Sequence, residues 1–198
     1  MMDTKFQDIF GNCEFQAEVI PDDQENDSAP SYAYPGGIRG AWVPGLAVRI
    51  YEQANQNWVG HFLAGKESPK GLSLCCGHPD GKSVIVVSRG TAFVVRATSP
   101  ATWLEIEVRP ILGYCADNRE KNLVLYGYTD MVGMRADGTM WRTPRLSWDG
   151  LRSVRIVNST VLGEGWDASK SAYVPFEVDV TTGASTGGAA PPNLTASH

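Results

Sequence analysis

The chain has 198 residues, of which 42% are hydrophobic and 20% charged, and its net charge is -5 at pH 7. This suits one globular domain whose core needs neither disulfides nor metals. Charge is uneven: residues 1–35 hold eight acids and one base, Lys5, while residues 36–198 hold 14 acids and 16 bases. No clustered Lys/Arg footprint for nucleic acid results, and no apolar run approaches the roughly 18 residues of a membrane span. Nor does anything suggest attachment to a membrane surface. The segment MMDTKFQDIF has no apolar h-region, so it does not read as a secretory signal. Cys13, Cys75, Cys76 and Cys115 then read as reduced thiols, and the expected location is cytoplasmic.

In chain order, residues 3–10 read as one or two helical turns or as an edge strand. Phe15 to Ile20 alternates apolar and polar side chains, the pattern of a half-buried strand. Residues 21–37, PDDQENDSAPSYAYPGG, are acidic and rich in breakers, and predict an exposed loop. Its Tyr32 and Tyr34 are bracketed by prolines. They read either as a binding clamp or as two rings pinning the loop to the body, and pinning is the simpler reading. Ala47 to Tyr51 and Trp58 to Leu63 predict a hairpin across 46–63.

From residue 72 a period appears. Ser83 to Val95 has an equivalent in Asn122 to Met134 at an offset of 39, and a third copy starts near Ser159. Each copy has an apolar run before it (Leu72–Gly77, Ile111–Ala116, Leu151–Val157), and the first two continue into a later strand, at Trp103–Val108 and Trp141–Leu146. Asp80-Gly81, Asp137-Gly138 and Asp149-Gly150 mark tight turns, with Thr182-Gly183 a weaker one, because glycine takes positive φ without steric cost. The expected fold is therefore all-β: antiparallel four-stranded meander repeats of about 39 residues, forming a single domain over 1–190 with a disordered tail over 191–198. Such a unit resembles a blade of a small β-propeller. A β-sandwich or flattened barrel is the alternative. Trp148-Asp149 and Trp166-Asp167 do not fall where the WD-repeat family places its Trp-Asp.

Three segments carry a second resemblance: Arg145 to Gly150 (RLSWDG), Gly163 to Asp167 (GEGWD) and Pro175 to Gly183 (PFEVDVTTG). Their order is similar to the ending of uncharacterised bacterial all-β proteins. The resemblance implies a bacterial intracellular protein and brings no activity with it.

No chemistry-bearing motif is complete. His61, His78 and His198 with Cys75-Cys76-x-His78 lack the paired spacing of a zinc site, so no metal and no cofactor is expected. There is no nucleophile elbow, P-loop or dinucleotide fingerprint, so no catalytic residue is assigned. The best candidates for binding are Trp148, Asp149, Glu164, Trp166 and Asp167, with Tyr32 and Tyr34. A Trp beside an acid offers a flat apolar platform and a hydrogen-bond acceptor. In repeat β-proteins, however, a Trp per unit usually fills core space, with its N–H on a buried acceptor. Arg142, Arg145, Arg152 and Arg155 read as a solvated face paired with Glu164, Glu177 and Asp179.

The function class these features fit best is a non-catalytic binding or interaction module with a protein partner, an immunity or regulatory protein being one form. The alternatives take a small polar ligand: a carbohydrate-active hydrolase with Glu164 and Asp167 as acid and base, or a lectin-like sugar binder.

Overall fold

A computed structural model describes residues 4–21, 28–52, 57–66 and 70–191. All regular structure among them is strand, as the alternation and turn chemistry predict. The chain divides into two compact units, one ending at Ile111 and the other beginning at Leu112.

The first unit holds β1 (Phe6–Gln7), β2 (Gln16–Ile20), β3 (Ser31–Tyr34), β4 (Ile38–Arg39), β5 (Gly45–Tyr51), β6 (Asn57–Leu63), β7 (Leu74–Gly77), β8 (Ser83–Ser88), β9 (Thr91–Arg96) and β10 (Ser99–Glu105). They form two sheets, ordered β2-β5-β6-β3-β4 and β1-β7-β8-β9-β10. The predicted hairpin is β5–β6, and β7 to β10 is the first predicted meander. β1 takes the edge-strand option for residues 3–10, pairing parallel with β7.

The loop expected over 21–37 is corrected in part. Ser31–Tyr34 runs parallel to β6, and Ile38–Arg39 folds back on it. The flanking prolines do not prevent this, because both lie outside the paired residues. Residues 22–27 of that loop, and residues 192–198 of the expected tail, lie outside the described residues.

β8 shows why the sheets form. All six residues of SVIVVS are buried, so the strand is covered on both faces and reads as a continuous apolar run. Phe15, Tyr34, Val48, Ile50, Phe62, Val84, Val86 and Phe93 of the two sheets share one core. Burying each such side chain is worth about 1.5–3 kcal/mol before entropy is counted.

The second unit is two plain meanders. β11 (Gly113–Asp117), β12 (Asn122–Tyr126), β13 (Met131–Arg135) and β14 (Met140–Arg142) pair in sequence order. So do β15 (Leu151–Val157), β16 (Thr160–Asp167), β17 (Ala172–Asp179) and β18 (Ser185–Gly187). Val124, Met131, Trp141, Leu146, Val161, Phe176 and Val178 form its core.

The turn glycines behave as their dipeptides predict: φ is 72° at Gly81, 83° at Gly138, 134° at Gly150 and 73° at Gly183. Asn158-Ser159 joins β15 to β16 with φ of 47° and 61°, the two positive values of a type I′ hairpin turn.

The repeat is also visible in its tryptophans. Trp58 donates its indole N–H to the carbonyl of Ala97 at 2.8 Å, and Trp141 donates to that of Val180 at 2.7 Å. Both pairs are 39 residues apart, the sequence period itself. Each joins the two sheets of its own unit, with the acceptor just past the third strand of a four-stranded meander, β9 of β7 to β10 and β17 of β15 to β18.

Candidate functional site

The candidate site lies on the C-terminal sheet, β15 to β18. Along β16 burial alternates residue by residue: Val161, Gly163, Gly165 and Asp167 are buried, and Thr160, Leu162, Glu164 and Trp166 are partly open. Successive side chains of a strand point to opposite faces. Leu162, Glu164 and Trp166 therefore share the accessible face. Register places Arg152 beside Glu164 on one flank, and Pro175 beside Glu164 and Tyr173 beside Trp166 on the other. Directly opposed residues share a face.

The side chains are mutually fixed there. Arg152 Nε donates to Glu164 Oε2 at 2.8 Å, and its guanidinium lies 3.7 Å above the centre of the Tyr173 ring. The Trp166 and Tyr173 rings meet edge to face at 5.2 Å. A register shift between Arg152 and Arg155, with Ser153 at φ 55°, bulges β15. Such a bulge re-aims neighbouring side chains. With side chains 53% and 36% exposed, the Arg152–Glu164 pair adds little stability, within about 0–1 kcal/mol. The stack on Tyr173 adds about 0.5–1 kcal/mol at an exposed site. Together they hold one geometry of the face more than they hold the fold.

A loop buttresses the edge. Arg145 donates from Nε to the Ser147 carbonyl at 2.8 Å and from Nη2 to the Trp148 carbonyl. The Trp148 amide donates to the Trp166 carbonyl at 2.9 Å, and the Trp166 amide to Ser147 Oγ at 2.9 Å. Half-buried Trp148 thus borders Trp166 through backbone contacts, while Asp149 stands exposed in its turn.

The other sequence candidates separate from this face. Asp167 is three residues from Glu164 on one continuous strand, so the two carboxyls point to opposite faces. Asp167 accepts from the Ser169 hydroxyl at 2.6 Å and pairs with Lys170 at 3.0 Å. The Ser169 hydroxyl, then Lys170, lowers its pKa to about 2. It closes the β16–β17 turn, and the acid–base pair expected of Glu164 and Asp167 is not assembled. Tyr34 is 0% exposed in the first unit, stacked on Phe62 at 4.8 Å, with its hydroxyl on the Pro100 carbonyl at 2.7 Å. Tyr32 meets the edge of Trp58 at 5.8 Å. Both tyrosines pin their segment to the body, and the buried Tyr34 cannot serve as a clamp.

Of the four arginines read as one solvated face, Arg152 pairs with Glu164 as expected. Arg142 joins Asp130 at 2.7 Å, Arg155 donates to the Ser153 carbonyl at 3.2 Å, and Arg145 serves the loop. Sequence reasoning missed Tyr173. Its signal was the hairpin: once Asp167 and Ala172 bound the turn, Trp166 must face Tyr173. Among the described residues no cluster of three His, Cys, Asp or Glu could hold a metal.

No protein-family model matches the sequence, and no curated relative matches it either. Two solved structures show some likeness. One is the N-terminal domain of Nup159, with a TM-score of 0.38 and 13% identity over 98% of this chain and 56% of that one. The other is an S. cerevisiae Dbp5 variant bound to Nup159, a Gle1 variant, IP6 and ADP, with a TM-score of 0.36 and 14% identity over 89% of this chain and 50% of that one. This chain spans about half the length of either. Its fold rests on its own strand pairing: an all-β chain of three antiparallel four-stranded meanders, the first extended by the parallel strand β1, and one mixed five-stranded sheet.

Proposed function

We propose that the protein is a non-catalytic interaction module of a bacterial cytosol, and that a protein partner docks on the accessible face of β15 to β17. One observation carries the reading: Arg152, Glu164, Trp166 and Tyr173 are held in a single arrangement on a partly exposed surface. Trp, Tyr and Arg are the residues that dominate binding energy at protein interfaces, and fixing them beforehand lowers the entropy cost of association. Leu162, Pro175 and Val157, the last 41% exposed, extend the apolar part of the face. Arg155 and Glu177 add one charge of each sign, so the partner surface offers an apolar side chain to Trp166 and Tyr173 and charged groups of both signs around it.

Ring geometry supports the protein-partner reading over the sugar-binding alternative. The guanidinium of Arg152 occupies one face of the Tyr173 ring, and the Trp166 and Tyr173 planes are inclined by 63°, so the two rings do not form one flat platform for a pyranose. The test is affinity capture from the source lysate with wild-type protein and with Tyr173→Ala and Arg152→Ala. The proposal predicts a partner retained by wild type and lost by both variants. Equal retention by all three, or mass doubling of the free wild-type chain that Tyr173→Ala reverses, would redirect the face to another use.

A further inference from the structure

We infer that the first unit carries a binding site for a small zwitterion of amino-acid or dipeptide size. A cavity of about 360 Å³ opens there, lined by Glu14, Phe15, Glu52, Lys82, Arg96, Ala97 and Thr98. That volume is within the range of small-molecule sites, about 300–1,000 Å³. Its charges are sorted by sheet. Glu14 and Phe15 precede β2 and Glu52 follows β5, so register brings both carboxylates to one end of the β2–β5 pair. Lys82 precedes β8 and Arg96 ends β9, and the pairing of Ser83 with Arg96 brings both cations to one end of the β8–β9 pair.

The two sheet ends are held at a fixed separation. The Glu14 amide donates to the Gly81 carbonyl at 2.8 Å, and the Trp58 indole donates to the Ala97 carbonyl at 2.8 Å. Phe15, 6% exposed, and Ala97, 2% exposed, supply an apolar floor. Arg96 is braced by Asp80 at 3.3 Å, which leaves its other guanidinium donors available. Among the described residues neither Glu14 nor Glu52 forms an ion pair with Lys82 or Arg96.

Opposite charges that share a cavity without touching leave room for a ligand that satisfies both. A carboxylate suits Lys82 and Arg96, since charge-assisted hydrogen bonds to a carboxylate are the strong ones. An ammonium suits Glu14 and Glu52, and an aliphatic side chain suits Phe15. A simple anion meets two carboxylates in the same space, and a simple cation meets two bases, so either half alone binds poorly. This site shares no residue with the face on β15 to β17, and its fate is independent of that reading.

The test uses the full ¹⁵N-labelled chain, titrated separately with L-leucine, alanyl-alanine, acetate and methylamine. Saturable shifts of the Gly81, Ala97 and Thr98 amides are expected with at least one zwitterion, at a Kd on the order of 1 mM or tighter. Acetate and methylamine should give none at the same concentrations. Which zwitterion wins reports the spacing between the charged ends. Lys82→Gln and Glu52→Gln should each weaken binding at least about tenfold, with the thermal midpoint unchanged because neither side chain is in the core. The inference is overturned if neither zwitterion shifts these amides, if acetate or methylamine binds as well as the zwitterions, or if both variants bind like wild type.

Discussion

Replacing Trp141 with Phe isolates the contact that recurs with the repeat. The Trp141 ring packs against two glycines: a Cβ at Gly133 would lie 2.1 Å from it and one at Gly183 2.7 Å. Its N–H is bonded to the buried Val180 carbonyl at 2.7 Å. Phenylalanine keeps most of the apolar contact and removes the donor. An unsatisfied buried acceptor costs about 1–3 kcal/mol. The lost ring atoms leave a gap between two glycines that cannot fill it, adding about 1 kcal/mol. The sum is about 2–4 kcal/mol, or a fall of roughly 5–15 °C in thermal midpoint for a chain of this size. Trp148→Phe is the control, since Trp148 is only half buried and its hydrogen bond to Trp166 runs through its backbone amide, not its indole. It should move the midpoint by less than about 2 °C. Scanning calorimetry at neutral pH checks both. A Trp141→Phe midpoint within 2 °C of wild type (roughly the effect of a neutral surface change) would refute the idea that this bond ties the two meanders of the second unit together.

Three further outcomes follow from the geometry. Gly165→Ala places a Cβ 2.1 Å from the Leu146 backbone carbonyl and should cost about 2–4 kcal/mol, whereas Gly138→Ala meets nothing within 4 Å and pays only for φ of 83°, about 1 kcal/mol; urea midpoints of the two variants separate them. Asp167 has a folded pKa lowered to about 2, so its stabilisation is complete above the unfolded value near ~4 and is lost as pH falls toward 2. An acid titration of Asp167→Asn should be flatter than wild type between those limits, and identical curves would count against the turn geometry. Burial raises every thiol, Cys13 and Cys115 to about 12 and Cys75 and Cys76 well above the usual thiol range, so Ellman's reagent at pH 8 should react far more slowly with the native chain than with the urea-unfolded one.

Much of the architecture was legible because it is local. Glycine after Asp fixes a turn, Val-rich runs fix strands, and antiparallel meanders pair neighbours in sequence, so the offset of 39 residues sufficed to anticipate the first two meanders and the opening hairpin of the third, but not β17 or β18. The N-terminal sheet was less legible because β3 pairs with β6 in parallel, a contact between residues 28 positions apart. A four-residue run between two prolines carries no sign of that partner. At the candidate site, period-two alternation alone separates Glu164 from Asp167, and that was readable once β16 was known to be unbroken. Tyr173 and the role of Arg152 needed the register and the bulge at Ser153. Trp58 and Trp141 are core, as tryptophans of repeat proteins usually are, while Trp148 and Trp166 are only half buried. Trp103 is also half buried and Trp42 is exposed, and sequence pattern alone gave no way to sort the six tryptophans in this way.

The central claim is that the face built by Arg152, Glu164, Trp166 and Tyr173 receives a protein partner. Its most direct test is hydrogen exchange of the captured complex against the free chain. Protection confined to β15 to β17, and absent for Tyr173→Ala under the same capture, is the predicted result. A captured partner that protects only strands of the first unit, or protects β15 to β17 equally in Tyr173→Ala, would contradict it.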